Sequence, residues 1–305
     1  GKTTTTSMTT HIFMAAQADP TVMIGGTLPM LHSGYRVGRG DTIILESCEY
    51  CNSFLHFFPT VAVVLNVEAD HLDFFKDLDD IKQSFRRFAQ LTPQDGHIVA
   101  NADDAGAMDA LKGLPLFTFG CCEGADCQAR NLTWQHGRPD FDVVAGGKVY
   151  THLSLRVAGL HNVYNALAAA SAAYVLGIPG KAVRQGLEGF FGAGRRFELK
   201  GQYNGARIYD DYAHHPAELH ALLDMAKSLG YNRVICAFQP HTYTRTKALF
   251  DDFVQELQIA DVVVLTDIYA AREQNTIGIS SRDLADRIPN AYYCPSLRDA
   301  AEKLR

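Results

Sequence analysis

The sequence predicts an α/β protein of two domains: residues 1–194, P-loop-type with a parallel sheet and a small antiparallel meander, and residues 195–305, a Rossmann-like α/β unit. Three observations carry this. Short β-rich runs alternate with stretches of helical period, the pattern of strands buried beneath crossover helices. At 305 residues the chain exceeds one ordinary hydrophobic core. Gly1-Lys2-Thr3, directly ahead of a helical run, has the form of the last turn of a phosphate-binding loop.

Composition narrows the class. A hydrophobic fraction of 47% with 20% charged residues fits a globular enzyme, and no apolar run approaches the roughly 18 residues of a membrane span. A net charge of -6 offers no electrostatic basis for binding nucleic acid. The seven cysteines are odd in number and scattered, as expected of reduced thiols in the cytoplasm. Cys48 and Cys51 have the spacing of a zinc or redox pair, but no second such pair supports that reading.

Met8, Ile12, Phe13 and Ala16 recur at helical spacing, which puts Gly1-Lys2-Thr3 at a helix N-terminus, where phosphate binds well. Strands of a parallel sheet are expected at Val22-Ile24, Thr42-Leu45, Val61-Val67 and His97-Ala100, with a helix from Asp79 to Gln90. Between Cys127 and Val157 the runs 128–134, 141–145 and 149–157 read as an antiparallel meander appended to this domain, turning at His136-Gly137-Arg138-Pro139 and Gly146-Gly147. The alanine-rich segment Asn162 to Leu176 reads as a helix packed on both sides, followed by a second helix after Pro179.

Gly192 and Gly194 mark a joint near Gly194. Beyond it, Asn204-Gly205 is a hairpin turn between Phe197-Tyr203 and Ala206-Tyr209. Helix Pro216-Leu229, strand Val234-Phe238, helix Lys247-Leu257, strand Val262-Leu265 and helix Ser281-Ile288 then build the second domain. The chain stops inside a last helical pattern, Leu297 to Leu304. With half a phosphate loop at one end and this pattern at the other, the sequence reads as a piece of a longer protein.

Candidate chemistry gathers where strands end. In the loop motif, backbone N–H groups cradle phosphates, the lysine offsets their charge and the hydroxyl binds Mg²⁺; by itself, Gly1-Lys2-Thr3 is also compatible with a surface turn. Glu46 closes the run Ile43-Ile44-Leu45, at the strand edge that faces a ligand crevice, and could be a second Mg²⁺ ligand or a solvated strand-end carboxylate. Val63-Val67 leads into Glu68-Ala69-Asp70-His71-Leu72-Asp73, a concentration of ligand-type groups unusual for a plain loop. Asp210-Asp211-Tyr212-Ala213-His214-His215-Pro216 follows a strand and opens a helix, where twin histidines suit proton handling or anion contact; the alternative is an Asp N-cap with exposed histidines. Arg245 after strand Val234-Phe238 is placed to hold a carboxylate or phosphate, and Arg195 and Arg196 at the joint could reach either side.

The segments GKTTTT, ESCEYCNSFL, LNVEADHLD, HNVYNALAA, RRFE, DDYAHHP and FQPHTYTRTK occur in the order found in Mur ligases, and the chain resembles that family over nearly its whole length. The last two segments resemble the branch that joins L-alanine to UDP-N-acetylmuramate rather than the ligases that add later residues. The resemblance implies a central ATPase domain, an incomplete C-terminal domain, and a cytoplasmic ligase of peptidoglycan precursor synthesis that uses ATP and Mg²⁺. It implies Gly1, Lys2, Thr3 and Thr4 at the ATP phosphates; Thr3, Glu46 and His71 at metal; His161, Asn162 and Asn165 at adenine; and Arg196 and Asp211 at ATP from the C-terminal side. It implies Tyr212, His214, His215 and Arg245 at the amino acid, with Lys2, Glu46, His71 and His214 serving the chemistry.

Thr242 departs from the pattern, standing where many relatives carry arginine, and the domain that grips UDP and the strands after Arg305 lie outside the resemblance. A ligase adding a recycled peptide, a P-loop motor and a non-catalytic fragment are the rival readings. The amino-acid-side motifs argue against the motor.

Overall fold

The threonine-rich segment after Gly1 is helical in the computed structural model, which describes residues 1–71 and 74–305. The first compact unit, Gly1–Asp210, opens with α1 (Lys2–Ala15), β1 (Thr21–Leu28), β2 (Ser33–Arg36), β3 (Ile43–Leu45) and β4 (Val61–Val64). It continues through α2 (Leu78–Gln90), β5 (His97–Asn101), α3 (Ala105–Ala110), β6 (Leu116–Gly120), β7 (Cys127–Gln135), β8 (Arg138–Ala145) and β9 (Lys148–Ser154). Helices α4 (Leu160–Val175) and α5 (Gly180–Glu188) and the hairpin β10 (Glu198–Tyr203) and β11 (Ala206–Asp210) complete it. Leu72 and Asp73 of the expected ligand-rich loop lie outside the described residues.

Threonine is a modest helix former, yet α1 holds because the Thr6, Thr9 and Thr10 hydroxyls donate to the carbonyls of Lys2, Thr5 and Thr6 one turn back. Those bonds satisfy polar groups on a helix that packs against α4, α5 and β1. The approach to α5 is close: a Cβ on Gly186 would lie 2.6 Å from the Ile12 Cα, so only glycine fits there. On α4, Ala166, Leu167, Ala168, Ala169, Ala170 and Ala173 are all fully buried, which is the two-sided packing its composition foretells.

The strands expected in one parallel sheet are divided between two sheets. β1 pairs in parallel with β3 and antiparallel with β2, while β4 to β9 lie in sequence order in a six-stranded sheet. The meander is part of that larger sheet. β7 pairs in parallel with β6 at Phe119↔Cys127 and Gly120↔Gln128, then antiparallel with β8, so one strand turns a parallel sheet into an antiparallel one. The strand expected through Val67 stops at Val64, and the Val67 N–H donates to the Asp104 carboxylate.

The second unit, Asp211–Arg305, contains α6 (Pro216–Ser228), β12 (Ile235–Phe238), α7 (Tyr243–Ala248), α8 (Phe250–Leu257), β13 (Val262–Leu265), α9 (Ser281–Ala285), β14 (Ala291–Tyr293) and α10 (Leu297–Leu304). Its three strands form one parallel sheet in the order β12-β13-β14. Leu219, Leu223, Phe253, Leu257, Val263 and Leu284 form its core. The helix expected at Lys247–Leu257 starts earlier and is broken at Leu249, whose φ of -112° and ψ of 27° leave the helical region. The helix expected to reach Ile288 ends at Ala285, and β14 follows where no strand was foreseen. Among the described residues no helix is long and apolar enough to cross a membrane.

Candidate functional site

Gly1 stands at the N-cap of α1, and the side chains that follow it meet the end of β3. The Thr3 hydroxyl donates to Glu46 Oε1 at 2.8 Å, and Glu46 Oε2 accepts from the Gly25 N–H at 2.6 Å. Gly25 is needed for this fit, because a Cβ there would lie 2.9 Å from Glu46 Oε1. The parallel register explains the meeting: the Glu46 N–H donates to the Met23 carbonyl, which carries the carboxylate alongside β1 to Gly25. Arg196 donates through Nη2 to the same Thr3 hydroxyl at 3.4 Å. Thr3, Glu46 and Arg196 therefore lie together, whereas Thr4 is buried in the packed flank of α1.

Lys2 takes a partner to which sequence reasoning gave no role. Its Nζ lies 2.6 and 2.8 Å from the two oxygens of Glu49. Burial pushes the lysine pKa down, but the Glu49 charge and hydrogen bond outweigh it and leave the value above that of an ordinary lysine. His71 extends the group: its Nε2 is 3.8 Å from Glu49 and 3.6 Å from Asp70, and its ring lies 4.7 Å from Tyr50. Glu49, Asp70 and His71 can bring one ligand atom each within 4.8 Å of one another, a mixed carboxylate and imidazole set suited to a divalent cation. Glu49 shares the signal that flagged Glu46, a carboxylate just beyond β3.

At the start of α4, Asn165 ties α1 to the rest of the unit. Its Oδ1 accepts from the Thr5 hydroxyl at 3.1 Å and its amide donates to Asn162 Oδ1 at 3.1 Å, while the Asn162 amide donates to the Ala158 carbonyl. A Cβ on Gly1 would lie 3.9 Å from that same Oδ1, so the loop glycine and the asparagine are neighbours. Burial drives the His161 pKa down to about 4, and the neutral Nε2 accepts from the Asn162 amide. Tyr164 donates to Asp103 at 2.9 Å. Asp103 also accepts from the Cys121 and Cys122 N–H groups and pins the end of β6 to α4.

In the second unit the histidines diverge. His215 is the N-cap of α6: its Nδ1 accepts from the Ala217 N–H at 3.4 Å, and Glu218 completes a capping box. The alternative of an aspartate cap is thus replaced by a histidine one, and Asp211 instead accepts from the Ala213 N–H. His215 Nε2 is buried without a hydrogen-bond partner among the described residues. His214 faces elsewhere. Its Nδ1 donates to the Tyr212 carbonyl at 2.8 Å, leaving Nε2 as the basic nitrogen, and its ring is 5.1 Å from Tyr212 and 5.9 Å from His241. Arg245 donates to His241 Nδ1 at 3.4 Å, and burial, followed by the charges of Arg245 and His214, lowers the His241 pKa. Tyr212, His214 and Arg245 are thereby joined through His241, which sequence reasoning passed over.

A model described as the Mur ligase middle domain matches residues 1–173, and one described as the Mur ligase glutamate ligase domain matches residues 195–305. The chain belongs to the Mur ligase family. The UDP-N-acetylmuramate–L-alanine ligase of Caldanaerobacter subterraneus subsp. tengcongensis is 48% identical over 291 residues, covering 94% of this chain and 63% of that protein. Its counterpart in Clostridium novyi is 47% identical over 300 residues, covering 97% and 65%. The chain therefore spans less than two thirds of the length of these curated relatives.

Among solved structures, the UDP-N-acetylmuramate-alanine ligase of Thermotoga maritima superposes with a TM-score of 0.81 at 30% identity, covering all of this chain and 67% of that one. A murein peptide ligase from Psychrobacter arcticus gives 0.70 at 24% identity over all of this chain and 69% of that one, a likeness of fold alone. The two family matches leave residues 174–194 between them, whereas the compact units part between Asp210 and Asp211, because the β10–β11 hairpin clusters with the first of them.

Proposed function

We propose that the protein containing this chain joins L-alanine to the lactyl carboxylate of UDP-N-acetylmuramate, using ATP and Mg²⁺, as a cytoplasmic step of cell-wall precursor synthesis. The observation that carries it is the Thr3–Glu46 contact beside Lys2 at the start of α1, together with close relatives that bear that activity in their names. A carboxylate oxygen attacks the γ-phosphorus and ADP leaves; the alanine amine then attacks the acyl carbon, the C–O bond to phosphate breaks, and the amine loses a proton. Lys2 neutralises transferring phosphate charge, and Arg196 adds a second cation near Thr3.

The residues fit a metal. The Thr3 hydroxyl and Glu46 carboxylate are the hard oxygen donors Mg²⁺ prefers, with His71, Asp70 and Glu49 as a second donor group. Bound there, Mg²⁺ would screen phosphate charge. Asn165 suits adenine readout because its two recorded bonds use one of its amide hydrogens and one of its oxygen lone pairs, leaving one of each for the base. His161 and Asn162 hold that amide in place. Asp211 belongs to the nucleotide side by family likeness.

The amino acid is assigned to the second unit: Tyr212 and Arg245 hold its carboxylate, His214 Nε2 accepts the amine proton, and His215 supports them as the α6 cap. A charge-assisted contact of this kind is worth about 1.5–3 kcal/mol, so Arg245→Ala is expected to raise the alanine KM by about 10- to 100-fold. Lysine should rescue only in part, since it lacks the planar fork. Titrating both substrates in the complete protein tests the reading. A raised ATP KM with an unchanged alanine KM would assign Arg245 to the nucleotide, and no response of wild type to alanine would sink the proposed donor.

A further inference from the structure

Helix α7 carries Arg245 at its third residue, yet nothing local caps its start. Thr242, in the N-cap position, offers no side-chain bond and adopts φ 67° and ψ 145°, a left-handed backbone that a β-branched residue rarely accepts. Such a conformation persists only when its surroundings hold it. Here they do: the Thr242 N–H donates to the Tyr269 carbonyl at 2.9 Å, the Tyr269 N–H donates to Pro240 at 2.8 Å, and His241 bridges to Tyr269. The remaining restraint is Glu273. Its Oε2 accepts from the Thr244 N–H at 3.0 Å, its Oε1 accepts from the Thr244 hydroxyl, and the Tyr243 N–H also donates to it.

We propose that Glu273 is a positioning residue for the amino-acid site: its carboxylate caps α7 from 29 residues along the chain and so fixes the aim of Arg245 and His241. The inference rests on the assignment of Arg245 to the amino acid. A carboxylate at a helix N-terminus is favoured by the exposed N–H groups and the helix dipole. Although burial alone would raise the Glu273 pKa, the bonds from Thr244 and Tyr243 hold it below the usual glutamate range, so the group is ionised wherever the enzyme works near neutrality. Tyr269 stands 5.5 Å from the His241 ring, so the same strap that carries Glu273 also backs His241. Without the cap, the first turn of α7 has only the strained Thr242 to start from. Arg245 then samples orientations that miss a carboxylate, and the loss falls on the amino acid.

The test uses the complete protein with UDP-N-acetylmuramate, measuring the KM of L-alanine, the KM of ATP and the thermal midpoint. Glu273→Gln should raise the alanine KM about tenfold, the equivalent of one charge-assisted hydrogen bond, and leave the ATP KM within about twofold. Thr244→Val, which removes the hydroxyl donor but keeps the N–H, should raise the alanine KM about threefold and decides the matter if the glutamine variant does not fold. Ile288→Val, in the core of the same unit and remote in sequence from α7, should lower the thermal midpoint without moving the alanine KM. An unchanged alanine KM in both Glu273→Gln and Thr244→Val overturns the inference, as does an equal rise in Ile288→Val. Wild type that releases ADP without regard to alanine overturns the donor assignment itself, and this inference with it.

Discussion

Lys2→Ala in the complete protein is expected to lower kcat/KM for ATP by about 10²–10³-fold, the range seen when one preorganised group facing developing charge is removed. In the structure the ammonium is held between both Glu49 oxygens, with its pKa kept high, so it is a fixed positive charge at the first turn of α1. That is where a phosphate would rest on the helix N-terminus. The Lys2 side chain is 45% exposed, and ion pairs of this kind add about 0–1 kcal/mol, so unfolding should remain cooperative with little change in midpoint. Lys2→Arg should recover part of the rate. Full ADP formation by Lys2→Ala would remove the phosphate-loop assignment.

Glu46→Ala is expected to abolish turnover at ordinary Mg²⁺ and to raise the Mg²⁺ concentration for half-activity by at least about 10- to 100-fold, as loss of a ligand or its immediate support does. Glu46 Oε1 and Oε2 both work in the structure, one on the Thr3 hydroxyl and one on the Gly25 N–H. Glu46→Gln keeps the shape and one acceptor while removing the charge, which separates metal binding from packing. A Mg²⁺ requirement unchanged in Glu46→Gln, with activity intact, would make Glu46 a brace for Thr3 and nothing more.

What could be read from sequence follows how far apart the partners lie along the chain. The start of α1, Glu46 at the end of β3 and the two-sided packing of α4 are local statements about period and strand ends, and the structure places them as expected. The ordered motifs likewise led to the family. By contrast, Lys2–Glu49, Asp103–Tyr164 and Thr244–Glu273 join residues 47, 61 and 29 positions apart, and no periodicity reports such meetings. The six-stranded sheet was missed for the same reason: two ladder pairs between β6 and β7 decide its continuity, and both depend on long-range register. His215 is different, since the signal was there. A residue directly before a helix-opening proline, with glutamate three places on, is the signature of a capping box even when that residue is histidine.

The claim on which the rest depends is that ATP activates the lactyl carboxylate as an acyl phosphate before the amine attacks, with Lys2, Thr3 and Glu46 serving the first step and Arg245 and His214 the second. The most direct measurement supplies UDP-N-acetylmuramate labelled with ¹⁸O in that carboxylate to the complete protein with ATP and L-alanine, and reads the inorganic phosphate by mass. The carboxylate oxygen that attacks phosphorus stays with it when the C–O bond breaks, so each phosphate released is expected to carry one labelled oxygen. Unlabelled phosphate alongside full amide formation would mean that ATP is cleaved without passing its phosphoryl group to the carboxylate, and would contradict the account.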